Sequence, residues 1–145
     1  MFIQQISVYL ENVRGSLCEL TQLLGEKDIN LLALSVADTA GFGIVRIIVR
    51  GEEIDRTKLS LREAGFIAKQ SDVVCVSIPH RPLGLASVLR IMNELDLSVE
   101  YTYSFCRGTG ADAVLIIRAS DNGQCAEALA ANGIRLLSQS EVDNF

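Results

Sequence analysis

The residues able to do chemistry in this chain gather at two turns. The first is Glu11-Asn12-Val13-Arg14-Gly15-Ser16-Leu17 and the second is Pro79-His80-Arg81-Pro82-Leu83-Gly84-Leu85. Each follows an alternating apolar–polar run that reads as a strand, and each opens into a pattern that reads as a helix. A strand that turns on glycine into a helix leaves several backbone N–H groups without partners in the chain. Such a place can receive a carboxylate or another anion. Gly15 and Gly84 occupy nearly equivalent places, so both turns are candidate ligand loops. The plainer role for either glycine is to supply backbone angles that other residues avoid.

Other chemistry is sparse. His80 is the single histidine, placed to contact a ligand or sense pH, or simply exposed in its loop. One histidine and no clustered cysteines make a zinc site improbable. The four cysteines, Cys18, Cys75, Cys106 and Cys125, form no C-x-x-C pair, and three fall in apolar periodic segments; Cys106, beside Arg107 and Gly108, reads as the more exposed one. A reduced, cytoplasmic protein is the simplest reading. There is no nucleophile elbow, phosphate loop or dinucleotide fingerprint, and no base, nucleophile and metal set can be assembled. The chain therefore reads as non-enzymatic and free of cofactors. The run Ala40-Gly41-Phe42-Gly43-Ile44-Val45-Arg46-Ile47 superficially matches an RNA-recognition signature. It lacks the basic first residue and has Ile44 and Ile47 where stacking aromatics belong. Val99, Tyr101, Tyr103 and Phe105 form an aromatic-rich stripe suited to interface packing, or to lining a pocket.

The elements that must hold the two turns follow from periodicity. Phe2–Leu10 reads as a strand, Ser16–Lys27 as a helix with Leu17, Leu20, Leu23 and Leu24 in its apolar stripe, and Ile29–Ala37 and Phe42–Arg50 as paired strands around Asp38–Gly41. Ile54–Ala64 reads as a helix stopped by Gly65, and Phe66–Gln70 as a short strand. The pattern then restarts: strand Asp72–Ile78, helix Gly84–Leu95, strands Leu97–Cys106 and Asp112–Ala119 around Arg107–Gly110, helix Asn122–Asn132, strand Ile134–Ser138. Ser140–Phe145 reads as a loose tail.

Leu17 and Leu85 are 68 positions apart, and so are Val8 and Val76, Ile29 and Leu97, and Gly65 and Gly133. An unbroken offset across strand, helix, strand and helix stop predicts two copies of β-α-β-β-α-β, spanning 1–70 and 71–145. That order is the split β-α-β layout of an α+β fold, an antiparallel sheet with both helices on one face. Ala113–Ile117 is apolar at every position, where a half-solvated strand should alternate. Domains this small bury little core alone. The copies are therefore expected to pack on each other or on a second chain through their sheets, and strands apolar on both faces lead to the expectation of a homodimer.

Of the 145 residues, 49% are hydrophobic, which is enough for a packed core, and the net charge is −5. With no basic run, the chain is a poor partner for nucleic acid or an anionic membrane surface. No apolar run is long enough to span a bilayer, and the N-terminus lacks a signal-peptide layout.

The β-α-β-β-α-β order with glycine at the first strand–helix junction resembles the ACT domain, and the whole chain is similar to free-standing bacterial proteins made of two ACT domains. Their first loop reads roughly Glu-Asn-Lys-Pro-Gly-Arg-Leu. Glu11 to Leu17 keeps the acid, amide, glycine and leucine without the proline. Their second loop reads Pro-Asp-Lys-Pro-Gly-Gly-Leu. Pro79 to Leu85 keeps both prolines and the last glycine, with Leu83 where the first glycine is usual. The segments 33–40 and 100–105 also look like family segments. The resemblance implies two tandem ferredoxin-like domains that bind an amino acid or related metabolite between paired domains. The strand–helix loop of one would touch it, with the second strand of the other. That implies ligand-binding residues Glu11, Asn12, Val13, Arg14, Gly15, Ser16 and Leu17, with Leu34, Ser35, Val36, Ala37 and Asp38 from the second strand. In the other copy it implies His80, Arg81, Pro82, Leu83, Gly84 and Leu85, with Tyr101 and Tyr103. The ligand's ammonium would go to Glu11, Asp38 or the backbone of 34–37. Leu83 adds a side chain where the ligand would approach, so the first loop is the better candidate. The rival readings are an assembly module with vestigial sites that pairs with a metabolic enzyme, and a small enzyme on this fold, which the lack of an acid–base set disfavours.

Overall fold

Strand β1 (Ile3–Glu11) turns Ile6, Val8 and Leu10 to one face, and all three are buried. A computed structural model describes residues 1–38, 41–106 and 112–145. The expected turns at 38–41 and 107–110 lie partly or wholly outside these residues. The chain forms two compact units.

One unit holds Gln4–Ser71 with Val142–Asn144. Here β1 pairs antiparallel with β3 (Phe42–Ile48), Val8 opposite Val45, and β3 pairs antiparallel with β2 (Ala33–Asp38), Val45 opposite Val36. Helix α1 (Ser16–Glu26) and helix α2 (Ile54–Glu63), the latter entered through a 3-10 turn at Gly51–Glu53, lay Leu20, Leu24 and Leu61 onto that face. Each such side chain, fully buried, contributes about 1.5–3 kcal/mol. Strand β2 begins at Ala33, later than the expected Ile29. Helix α1 instead ends with Asp28 in the left-handed region at φ 55, and the Ile29 N–H donates to the Leu24 carbonyl. That closure satisfies orphan helix carbonyls and tucks Ile29 into the core before the chain can extend.

The other unit holds Asp72–Glu141 with Met1–Ile3 and Phe145. Strand β4 (Ile67–Pro79) pairs antiparallel with β6 (Asp112–Ala119) and with β7 (Arg135–Leu136), and β6 pairs with β5 (Val99–Cys106). Helix α3 (Gly84–Glu94) and helix α4 (Asn122–Ala131) bring Val88, Met92, Cys125 and Leu129 against Val76, Leu115 and Ile117. Asp96, with φ 54, repeats the closure of Asp28 at the 68-residue offset, and the Leu97 N–H donates to the Met92 carbonyl. Two antiparallel sheets, each with two helices on one face, make this an α+β fold of ferredoxin-like repeats.

Three details differ from the sequence reading. Phe66–Gln70 and Asp72–Ile78 are one continuous strand, β4, since Ser71 extends where a turn was expected. A register shift between Val99 and Tyr101 breaks the aromatic stripe. Val99 packs with the helix-side core, whereas Tyr103 stands opposite Ile116 and Phe105 opposite Val114, on the other face. The C-terminal tail is not loose. Ser138 Oγ accepts from the Glu141 N–H at 3.3 Å, and a Glu141 carboxylate oxygen accepts from the Ser138 N–H at 2.8 Å. This reciprocal capping box starts helix α5 (Gln139–Val142), whose Val142 is buried.

Two predictions follow from these local constraints. The Ser138 N–H, then the Arg135 and Ser138 side chains, donate to Glu141 and hold its carboxyl at about 2, below the usual 4.5. A depressed folded pKa stabilises the protein above the unfolded value and loses that contribution as pH falls through the folded one. Urea denaturation of Glu141→Gln should therefore differ from wild type at neutral pH and converge with it as pH falls from the ordinary glutamate range toward about 2. A constant difference would contradict the assignment. Gly84 is also constrained, because a Cβ there would lie 2.5 Å from the Pro79 carbonyl oxygen. Gly84→Ala should cost about 1–3 kcal/mol of stability, the usual range for overpacking, read from the same denaturation curves.

Candidate functional site

The two strand–helix turns are built alike. Val13 and Arg81 each donate an N–H to the carbonyl two residues back, on Glu11 and Pro79, at 2.9 Å. The Ser16 and Gly84 N–H groups donate to Val13 and Arg81, at 3.3 and 3.0 Å. The residue before each helix is left-handed: Gly15 at φ 92 and Leu83 at φ 68. The counterpart of Gly15 is therefore Leu83, and Gly84 answers to Ser16. The expected equivalence of Gly15 and Gly84 is off by one residue. Glycine at 84 serves the close approach to Pro79, while the left-handed angle falls to a leucine, at a cost on the order of 1–2 kcal/mol.

At the first turn, the N–H groups of Arg14, Gly15, Leu17 and Cys18 meet no backbone acceptor among the described residues. Those of Gly15, Leu17 and Cys18 are orphan donors of the α1 N-terminus, with that of Arg14 just ahead of the cap, and the helix dipole there also favours negative charge. Space around Gly15 is open, with nothing within 4 Å of a Cβ built there. Beside this turn lies a cavity of about 140 Å³ lined by Leu10, Glu11, Asn12, Val13, Ser16, Leu17, Val36, Gly43 and Val45. Its lining thus joins the end of β1, the start of α1 and both neighbouring strands.

Of the residues expected here, Glu11, Asn12, Val13, Ser16 and Leu17 line the cavity, and Arg14 and Gly15 sit in the turn beside it. Among the described residues of β2, Val36 lines it. Strand alternation places Leu34 on the same face and Ser35 and Ala37 on the other. Asp38 ends β2 opposite Gly43. Leu10, Gly43 and Val45 were missed as lining residues. The signal was available, since Val36 and Val45 are cross-strand neighbours and share a face.

At the second turn, His80, Arg81, Pro82, Leu83 and Leu85 are exposed, Leu83 at 76%, and Gly84 is buried. Tyr101 and Tyr103 lie on the face of β5 away from α3 and α4; the helix-side positions are Thr102, opposite Ile117, and Ser104, opposite Leu115. These tyrosines do not answer to Leu34 and Val36, whose 68-residue counterparts are Thr102 and Ser104.

A larger cleft of about 310 Å³ is lined by Glu19, Gln22, Leu23, Glu26, Ala64 and Phe66. Its carboxylates oppose an anionic ligand, and Gln22 is already bonded to Glu26 at 2.9 Å. Size favours this cleft and chemistry favours the smaller cavity; for a ligand bearing a carboxylate, chemistry decides. Buried thiols are unsuited to nucleophilic attack. Burial, then the Glu141 charge, pushes Cys75 up to about 12, and burial, then Asp121, pushes Cys125 up to about 11. Cys18 is exposed, contrary to the expectation for apolar segments. Among the described residues no cluster of three or more His, Cys, Asp or Glu could hold a metal, and no helix is long and apolar enough to cross a membrane.

No functionally curated protein matches the chain. A solved protein of Bacteroides thetaiotaomicron is 36% identical, with a TM-score of 0.90, over 100% of this chain and 98% of that one. The regulatory subunit of aspartate kinase from Thermus thermophilus shares the fold at 16% identity and a TM-score of 0.65, over 88% of this chain and 91% of that chain. The corresponding subunit from Thermus flavus does so at 15% identity and 0.62, over 88% and 90%. The family model described as an ACT domain pair matches residues 1–145, the whole chain. With the repeated turn, the ferredoxin-like units and this full-length match together, the chain belongs to the family of ACT domain pairs.

Proposed function

We propose that this protein is a non-enzymatic, cytoplasmic regulator that binds a free amino acid at its first strand–helix turn. ACT domains are typically small-molecule-binding regulatory modules. The observation that carries the reading is the row of orphan N–H groups at Arg14, Gly15, Leu17 and Cys18, set beside a cavity that Glu11 also lines. The donors suit an α-carboxylate, and charge-assisted bonds of this kind are about twice as strong as neutral ones. Glu11 suits the ammonium, with the backbone of 34–38 as a second acceptor. The second turn has lost this function, because Leu83 stands where Gly15 leaves open space. Strand β2 ends its sheet and exposes Leu34 at 45% and Val36 at 53%. An edge of this kind templates pairing with another chain. A second copy added there gives a homodimer and sets its β2 close to the ligand.

Thermal melting against the common amino acids should show selective stabilisation by one or a few. Ligand at a hundred times its dissociation constant adds about 2.7 kcal/mol, several degrees for a chain of this size. If none at millimolar concentration moves the midpoint, the reading fails. Gly15→Leu copies the second turn into the first. It should stay folded, as Leu83 does in the same conformation, and bind at least about tenfold more weakly, a loss of about 1.4 kcal/mol. Glu11→Gln should also weaken binding without changing the melting of the free protein. Equal affinity in all three proteins would make the turn merely structural. For assembly, sedimentation should show a dimer at micromolar concentration and a monomer for Leu34→Lys, since a charge on an edge strand opposes pairing. A monomeric wild type would remove the second copy from the proposal.

A further inference from the structure

We infer that the ligand of the first-turn cavity carries a short aliphatic side chain, and that charged and aromatic amino acids are rejected. This rests on the functional reading above and deepens it. The cavity is divided chemically. Glu11, Asn12 and Ser16 bring polar groups from the strand end and the turn, while Leu10, Val36 and Val45 bring apolar walls from three adjacent strands. Leu17, from the first turn of α1, adds a fourth apolar wall. Leu10 and Val45 are buried, at 8% and 1% exposure, and Leu17 and Val36 complete the apolar wall from exposed positions.

A charged ligand side chain against that wall loses its hydration with no counter-charge to replace it. Glu11 is among the lining residues and no Lys or Arg is, so a second carboxylate there meets like charge, the exposed Arg14 standing in the adjoining turn. Size sets the upper limit. The cavity volume of about 140 Å³ is small for a ligand site. Pockets for drug-sized molecules run to about 300–1,000 Å³. A short aliphatic side chain suits a space of this size better than an aromatic ring does. Gly43 also lines the cavity, and a Cβ there would lie 3.3 Å from the Ala37 carbonyl oxygen. Within the aliphatic class, selectivity follows from fit: one methylene more or less in an apolar pocket changes affinity on the order of tenfold.

The test is calorimetric titration of the full chain with alanine, valine, leucine, isoleucine, aspartate, lysine and phenylalanine. Two variants are titrated alongside, Leu17→Ala, which enlarges the apolar end, and Val36→Phe, which fills it from the exposed edge of β2. Circular dichroism melting confirms that both are folded. The expected result is binding of one or more aliphatic amino acids at least about tenfold tighter than any charged or aromatic one. Leu17→Ala should shift the preference toward a larger aliphatic side chain, and Val36→Phe should remove binding. If aspartate, lysine or phenylalanine binds tightest in the wild type, the inference is overturned while the amino-acid-binding reading stands. If an aliphatic ligand binds but both folded variants bind it unchanged, the cavity does not hold its side chain and the inference is again overturned. If no amino acid binds at all, both this inference and the functional reading fall.

Discussion

One backbone constraint organises each half of this protein: a left-handed residue at the junction of the first strand and the first helix. It is Gly15 in one half and Leu83 in the other, at φ 92 and 68. That angle reverses the chain so that the helix starts over the sheet it has just left. Leu20 and Leu24, or Val88 and Met92, can then reach the sheet's apolar face. The same reversal leaves helix N–H groups aimed away from the core. The fold and the unpaired N–H groups at the helix start are thus two results of a single turn.

The repeat makes the two residue choices comparable. Both turns hold their shape with the same pair of carbonyl-accepted bonds, so neither needs glycine for its hydrogen bonding. Leu83 shows that a side chain can occupy this conformation, at a strain of about 1–2 kcal/mol. Its persistence at 76% exposure means that the leucine is not repaid by burial within this chain. Gly15 relieves the strain and clears the approach to the N–H groups. The two halves share an architecture and differ at this one residue: space is open around Gly15, and the exposed Leu83 side chain occupies the equivalent place.

Much of this was legible in the sequence because it was written twice. The 68-residue offset fixed the element order, and even the helix closures recur, at Asp28 and Asp96 and at Gly65 and Gly133. The capping box Ser138-Gln139-Ser140-Glu141 was also readable and was overlooked, since a short terminal segment carries little periodicity. Other features were not readable. The shift between Val99 and Tyr101 inverts which residues face the helices, and inward and outward residues of a strand can be told apart only once the register is known. Leu10, Gly43 and Val45 as cavity walls depend on cross-strand pairing, which one-dimensional spacing does not carry. The confusion of Gly84 with Gly15 came from residue type. Both are glycine, but one answers to a positive φ and the other to the carbonyl of Pro79.

The account's central claim is that the backbone N–H groups of the first turn hold the ligand and those of the second do not. Backbone amide resonances report on each N–H separately. A nitrogen–proton correlation spectrum, followed while the amino acid that stabilises the protein is added, is therefore the most direct test. The account predicts saturating shifts at Arg14, Gly15, Leu17 and Cys18, with the amides of Leu83, Leu85 and Ala86 unmoved. Shifts centred on 83–86, or equal shifts at both turns, would contradict it.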